Sequence, residues 1–276
     1  MTKELRTNRQ LKIILGLALS IAAIIWMLPF IWMILSAFKT DAEIMQFPPN
    51  FLPNNATWEN FKELFEAFNF SVYLRNTLII VAFSFLGMFF NAMAGFGFAK
   101  YDFKGRKFLF YMVLATMMIP GQVTMIPVYL IMNTLGLTNT MPGIILPGLV
   151  GAYGIFLFRQ FLSTISDELL EAARLDGASE WYIFRKIILP ISKPILAVQG
   201  IASFIGGWNS FLWPLIMAND EKYYTLSVGL QLLKGQYSNN YALQMAGSTF
   251  MVVPILIIFV LLQKYILEGY NVSGHK

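Results

Sequence analysis

Only a few kinds of side chain in this sequence can do chemistry. There is no cysteine, which removes disulfide frameworks, thiolate metal sites and thiol nucleophiles together. The one histidine is His275, a solvated residue at a chain end, so imidazole-based triads and histidine metal sites are excluded as well. What remains falls into two sets. The first is a charged stretch, SDELLEAARLDGASEWYIFRKIILPI (residues 166–191), where Glu168, Glu171 and Arg174 fall three apart on one helix face. Ala172 and Ala173 beside them leave little bulk, so another protein surface can approach the backbone closely; the plainer alternative is an interfacial connector. The second set is Asn91, Gln122, Tyr129, Gln199, Trp208, Asn209 and Gln244, polar or aromatic residues within or bordering long apolar runs. Their amides hydrogen-bond hydroxyls and their rings cover apolar ring faces, or they bond neighbouring helices. Neither paired carboxylates nor a metal-ligand cluster accompanies them, which argues against an enzyme.

The elements that carry these residues follow from the charge distribution. Of 276 residues only 13% are charged, about half the share of a soluble domain. Ile13 to Phe38 contains no charged residue and exceeds the roughly 20 residues that cross a bilayer. Comparable runs follow, and the cluster NTLGLTNTMPG (133–143) supplies the turn that divides the longest of them. The spacing predicts an all-α integral membrane protein with six spans, at about 13–38, 74–99, 108–132, 142–162, 193–218 and 243–266, and an insert at 166–191 between the fourth and fifth. No internal repeat appears, so residues 1–276 read as a single transmembrane domain. The first run is longer than the apolar core of a signal peptide and lacks a small-x-small cleavage site, so it reads as an uncleaved anchor.

Six crossings put both termini on one side. With the termini inside, only Lys39, Lys62, Arg75, Lys222 and Lys234 of the 20 basic residues lie outside, which favours cytoplasmic termini because short Lys/Arg-rich loops are retained there. The net charge of +5 is then a matter of topology and not of nucleic-acid affinity. On the outer side, WENFKELFEAFNF repeats Trp58, Phe61, Leu64, Phe65 and Phe68 at steps of three and four, an amphipathic helix whose stripe packs on the spans or the interface, or docks an external partner.

Within the insert, Ser166 is placed to cap a helix with Asp167 and Glu168 in its first turn. That helix runs to about Leu175, and Gly177 ends it. Ser179 starts a second helix through WYIFRKII, which Pro190 and Pro194 stop before the fifth span. Its apolar stripe is Trp181, Phe184 and Ile188.

The string EAARLDGASEWYIFRKIILPISKP resembles the EAA motif of binding-protein-dependent ABC importers, with Glu171, Ala172, Ala173, Gly177, Ile187, Leu189 and Pro190 in the motif's places. Asp176, Ala178 and Phe184 match the version found in carbohydrate importers. SAFKTDAEI (36–44), AGFGFAKYDFKGRKFLF (94–110), MIPGQVTMIPVYLIMNTLGLTNT (118–140), GGWNSFLWPL (206–215) and QKYILEG (263–269) are similar to the second permease subunit of the maltose-type sugar importers. The chain departs from that pattern at Ser166, where the family has Pro, and in its closing NVSGHK.

The resemblance implies the type I ABC importer permease fold, in which the insert is a cytoplasmic coupling helix seated in an ATPase subunit. It implies that Glu171, Ala172, Ala173, Arg174, Asp176 and Gly177 meet that ATPase. The implied partners are a homologous second permease, two ATPase copies and an extracytoplasmic sugar-binding protein, in the bacterial cytoplasmic membrane. No G-x-x-x-x-G-K-[ST] loop is present, so ATP and Mg are expected on the partner ATPase, with no cofactor and no catalysis on this chain. The polar span residues then become candidates for a sugar pathway. A glycerol-phosphate permease is the alternative; an ion-coupled secondary transporter is a more distant one, since no ionisable group lies within the expected span interiors.

Overall fold

The computed structural model describes residues 2–66, 68–236 and 239–272, with side chains described from Leu11 to Lys264. His275 and the last residues of NVSGHK lie outside that range. Among the described residues the chain is helical, without strands, and it packs as two units, Met1–Phe68 with Leu233–Phe250 and Asn69–Leu232 with Met251–Lys276.

In the first unit α1 (Thr2–Ser36) carries the first apolar run, its side chains exposed from Leu11 to Ile31. α2 (Asp41–Met45) is capped by Thr40, whose hydroxyl accepts from Glu43 N, and α3 (Glu59–Glu66) follows. Buried Asn60 closes the end of α1, its Nδ2 donating to the carbonyls of Ala37 and Lys39, each at 2.8 Å. α3 is shorter than the expected outer helix, and its stripe packs on the protein only in part: Leu64 is fully buried and Phe61 lies 5.3 Å from Phe38, whereas Trp58, just before the helix, touches Phe38 edge-on at 4.8 Å yet is 71% exposed. Lys39, expected on the outer side of the membrane, is also fully buried. Its Nζ donates to the Asn50 carbonyl at 2.5 Å and sits 4.5 Å over the Trp32 ring, which supplies the acceptor and the aromatic face that a buried ammonium requires.

The second unit is built on α4 (Phe70–Lys100), followed by α5 (Arg106–Met117), α6 (Gly121–Thr134), α7 (Met141–Ile145), a 3-10 turn (Leu146–Gly148) and α8 (Ala152–Leu162). α4 packs tightly on the α8 segment along Gly87, Asn91 and Gly95, four residues apart. A Cβ on Gly87 would stand 1.7 Å from the Leu149 carbonyl oxygen, and one on Gly95 2.5 Å from Phe158 Cβ. Between them, Asn91 Oδ1 accepts the Gly151 N–H at 3.1 Å. Small residues four apart let helix backbones approach, and in an apolar medium that contact is a main source of helix association.

After the insert, α12 (Lys193–Trp208), α13 (Leu212–Met217), α14 (Leu226–Gln236) and α15 (Tyr241–Val272) complete the chain, the last two divided between the units. Among the described residues five helical stretches are long and apolar enough to cross a membrane: Leu11–Ser36, Phe70–Lys100, Met141–Leu162, Lys193–Met217 and Tyr241–Lys264. They match five of the expected spans within a few residues. The expected span at 108–132 corresponds to a bent pair, α5 and α6, which meet at 103°; counted as one span, the pair brings the total to six. Pro120 has no N–H to donate and its ring excludes the preceding turn, so Met118 to Pro120 leave the helix. The turn after α6 forms where expected, with Gly136 at φ +68° and Asn139 at φ +56°, the residue types that tolerate that region.

Candidate functional site

The insert folds as its sequence indicates at its start. The Ser166 hydroxyl accepts the Glu168 N–H at 3.3 Å and opens α9 (Asp167–Leu175), whose first-turn Asp167 and Glu168 face the positive end of the helix dipole. At its end Gly177, φ +81°, donates to the Arg174 carbonyl and Ala178 donates to the Ala173 carbonyl, both at 3.0 Å. This pair of bonds satisfies two of the carbonyls a helix end leaves open and needs a residue that accepts positive φ.

Ser179 then accepts the Tyr182 N–H at 3.2 Å and opens α10 (Glu180–Tyr182). The helix ends between the two prolines expected to stop it, running on through Pro190 and breaking before Pro194. It passes through a π-helical stretch, Ile183–Ile188, into α11 (Leu189–Ile191), and breaks only at Ser192. In an α-helix the Pro190 ring would press on the Lys186 carbonyl; the wider π turn just before it relieves that clash.

One face of the insert is bolted to the membrane helices. Leu170, Ile183, Phe184 and Ile188 are buried with Ala92 and Phe96 of α4 and with Phe158 and Leu162 of α8. Of the expected stripe, Phe184 and Ile188 lie in this core, while Trp181 stays half exposed against Phe89 and Phe184. The opposite face is open. Glu171, Ala172, Arg174, Asp176 and Gly177 are exposed, Ala173 is half-buried, and Leu175 is 89% exposed.

Two polar ties fix the insert beside the end of α4. Lys100, its side chain 3% exposed, bonds Asp167 Oδ1 at 2.6 Å and the Ile165 carbonyl. Arg174 Nε bonds Glu180 Oε1 at 2.7 Å, and the Tyr101 hydroxyl donates to Glu180 Oε2. The Arg174 hydrogen bond, and then that of Tyr101, hold the Glu180 carboxyl below its ordinary range. Burial, and then the bond to Glu180, push the Tyr101 phenol up to about 12.

The second set of residues only partly converges. Asn91, Gln122 and Gln199 line one cavity of about 650 Å³ in the second unit, bounded by α4, α6, the α7–α8 segment and α12. Asn91 also spends its carbonyl oxygen on Gly151 N. Gln199 is 8% exposed and its Oε1 is buried with no hydrogen-bond donor, a condition that costs roughly 1–3 kcal/mol. Tyr129 packs instead on the cluster of Ile80, Ile144, Met217 and Ala218. Trp208 is buried, stacked 5.4 Å from Phe204, with Nε1 donating to the Met251 carbonyl at 2.9 Å. Asn209 caps α12 and is exposed, and Gln244 belongs to the other unit, in α15.

Other chains share this sequence pattern and this fold. Residues 87–269 fit the family model described as the binding-protein-dependent transport system inner membrane component. The chain belongs to that family. It is 37% identical to an arabinooligosaccharides transport system permease protein of Halalkalibacterium halodurans, covering 98% of this chain and 99% of the relative. It is 31% identical to a lactose transport system permease protein of Rhizobium radiobacter, covering 91% and 92%. To a sn-glycerol-3-phosphate transport system permease protein of Brucella abortus it is 30% identical, covering 92% and 93%. A crystal structure of a bacterial ABC transporter that imports the acidic polysaccharide alginate includes a chain that superposes with a TM-score of 0.82 at 25% identity, covering 95% of this chain and 98% of that one. The chain thus has the type I ABC importer permease fold of its family and is a multi-pass membrane component of a transport system.

Several site residues escape a reading of the sequence. Leu175 is apolar at a helix end and looks like core, yet it projects into solvent. Tyr101 pairs with Glu180 across 79 residues, and no local pattern signals such a pair. Ser84, Ser203, Ser210 and Trp213 line the cavity beside Gln199; the small and polar stripe Gln199, Ser203 and Gly206 along one side of α12 is the periodic signal that reveals part of that wall.

Proposed function

We propose that this chain is the sugar-translocating permease subunit of an ATP-driven importer, and that its insert is the coupling element. Glu171, Ala172, Ala173, Arg174, Asp176 and Gly177 form the surface that enters a partner ATPase. The observation that carries this reading is the two-sided insert: one face buried against α4 and α8, the other offering charge, small residues and the exposed Leu175. A partner pushing on the open face moves α4 and α8 with it, because a packed core transmits displacement.

The working assembly pairs this chain with a homologous permease, two ATPase copies and an extracytoplasmic sugar-binding protein. It sits in the bacterial cytoplasmic membrane with both termini in the cytoplasm, as the excess of basic residues on that side supports. ATP bound by the ATPase pair draws the coupling elements together and turns the membrane halves outward; hydrolysis resets them. This chain itself catalyses nothing. The names of its arabinooligosaccharide and lactose relatives support an oligosaccharide as the solute.

The test is Glu171→Lys, which reverses charge on the face offered to the ATPase. The variant should reach the membrane at normal level and lose ATP-driven sugar uptake; normal uptake would sink the coupling assignment. A panel of mono- and oligosaccharides titrated against the cognate binding protein identifies the solute.

A further inference from the structure

We propose that the groove between α5 and α8 holds one anionic glycerophospholipid, with an acyl chain along Leu109, Val113 and Ile155 and the phosphate on Arg106 and Arg159. The site lies within the second unit, apart from the cavity beside Gln199 and from the open face of the insert, and it does not depend on which solute is carried.

The groove has a volume of about 430 Å³ and is walled by Leu109, Met112, Val113 and Thr116 of α5 and by Ala152 and Ile155 of α8. Thr116 donates its hydroxyl to the Val113 carbonyl at 2.7 Å, so its proton is already spent and these walls offer no free donor. Leu109 and Met112 are 47% and 53% exposed. In a multi-pass membrane protein such an apolar opening is filled by hydrocarbon at little cost, whereas a polar occupant would lose its hydration there. From Leu109 to Thr116 the wall runs about 10 Å along the helix at 1.5 Å per residue. That covers most of one leaflet of the hydrocarbon core, about 15 Å deep.

Both walls finish in a guanidinium, and at the same end. Arg106 stands three residues before Leu109 and Arg159 four after Ile155, so each continues the stripe of its helix by one turn. Phe110 brings the two together: its ring stacks on Phe156 at 6.5 Å and lies 4.7 Å from the Arg159 guanidinium above it. Arg106 gives one nitrogen to the Tyr101 carbonyl at 2.8 Å, and Arg159 one to Gln160 Oε1 at 2.6 Å. Neither forms an ion pair among the described residues. The turn before α5 adds exposed Lys104 and Lys107 against the single carboxylate Asp102.

Arginine takes a phosphate with paired donors, and basic residues at the mouth of an apolar cleft between spanning helices are the chemistry of an anionic headgroup. A helix of a partner subunit would fill the same groove only if it brought carboxylates to this one level. A phospholipid carries its charge there by construction.

The experiment uses the complete importer, purified in detergent, mixed with equal amounts of palmitoyl-oleoyl phosphatidylglycerol and phosphatidylcholine and weighed intact by native mass spectrometry. Arg106→Gln combined with Arg159→Gln should remove one bound phosphatidylglycerol per complex and leave bound phosphatidylcholine unchanged, while lysine at both positions should retain the lipid. Ala152→Phe, which fills the groove with both arginines in place, should remove the same molecule. Should Arg159→Gln prevent assembly, Arg106→Gln alone is expected to weaken phosphatidylglycerol binding about fivefold, the share of one cation near a headgroup. An unchanged lipid count in the glutamine variants and in Ala152→Phe overturns the site. So does equal binding of glycerophosphoglycerol, the same headgroup without chains, since the groove would then contribute nothing. Met112→Cys is a single thiol in this chain, and its efficient cross-linking to the partner permease in native membranes would show a protein helix where the lipid is placed, and overturn the proposal too.

Discussion

Arg174 grips Glu180 with two hydrogen bonds, Nε to Oε1 at 2.7 Å and a terminal nitrogen to Oε2 at 3.3 Å, across the turn made by Gly177. The pair ties the last turn of α9 to the first of α10 and thereby sets the angle between the two helices of the insert. Its side chains are 38% and 48% exposed, so it contributes under about 1 kcal/mol to stability. Its value is geometric.

Arg174→Ala should therefore leave the thermal midpoint of the purified permease almost unchanged while lowering sugar moved per ATP hydrolysed two- to fivefold. The exchange Arg174→Glu with Glu180→Arg should recover most of that loss. A swap no better than either single variant would show that the pairing with Glu180 is not what Arg174 contributes.

At Gly177 the strain is in the backbone alone, since a Cβ there meets nothing within 4 Å. Gly177→Val costs about 1–2 kcal/mol for a side chain held at positive φ and should weaken co-purification of the ATPase. Gly177→Asn, which tolerates that region, should bind it nearly normally. Equal capture of the ATPase by the two variants would count against the bend.

Along α4 the outcome is steric. Gly87→Leu and Gly95→Leu drive atoms into the Leu149 carbonyl and the Phe158 Cβ and should cost on the order of 3 kcal/mol. Gly97→Leu faces open space and should be tolerated. Detergent-solubilised yield on a sizing column separates the two classes, and loss of Gly97→Leu protein to the same degree would contradict the packing.

Titration of the Tyr101–Glu180–Arg174 tie has a defined window. Glu180 has a lowered carboxyl, so its contribution is present above the ordinary carboxylate range and disappears as pH falls through the lowered value. Tyr101 is raised to about 12; its contribution is complete below the ordinary phenol value near 10 and disappears as pH rises through about 12. Between pH 5.5 and 9 the tie should not change. Because the chain has no cysteine, Leu175→Cys offers a single site for a nitroxide label, whose mobility should be flat across that range. A step in mobility near neutral pH would place another titrating group in control.

Much of this architecture is legible in the sequence, and for identifiable reasons. Runs without charge announce five of the spans, Ser166 announces the start of α9, and the glycine at 177 announces its end, because each is a local demand of backbone or solvent. Hydropathy averages over Pro120 and so reports 108–132 as one apolar run, although the missing N–H bends it. Pro190 and Pro194 together announce the end of the second insert helix, and the π turn lets the chain run past the first of them before it breaks at Ser192. Burial of Lys39 and the Tyr101–Glu180 contact depend on partners distant in the chain. Of the polar span residues, Asn91 accepts from Gly151 N and Trp208 donates to the Met251 carbonyl, partners distant in the chain that no local pattern announces.

The elbow between α5 and α6 carries a consequence for which way this subunit faces. Hydrocarbon offers nothing to peptide groups that leave a helix, so irregular backbone at bilayer depth survives only against protein or water. Met118, at 84% exposure in the isolated chain, sits on that elbow. If the bent pair crosses the bilayer as one span, the flank bearing residues 117–121 must meet protein or water and not acyl chains.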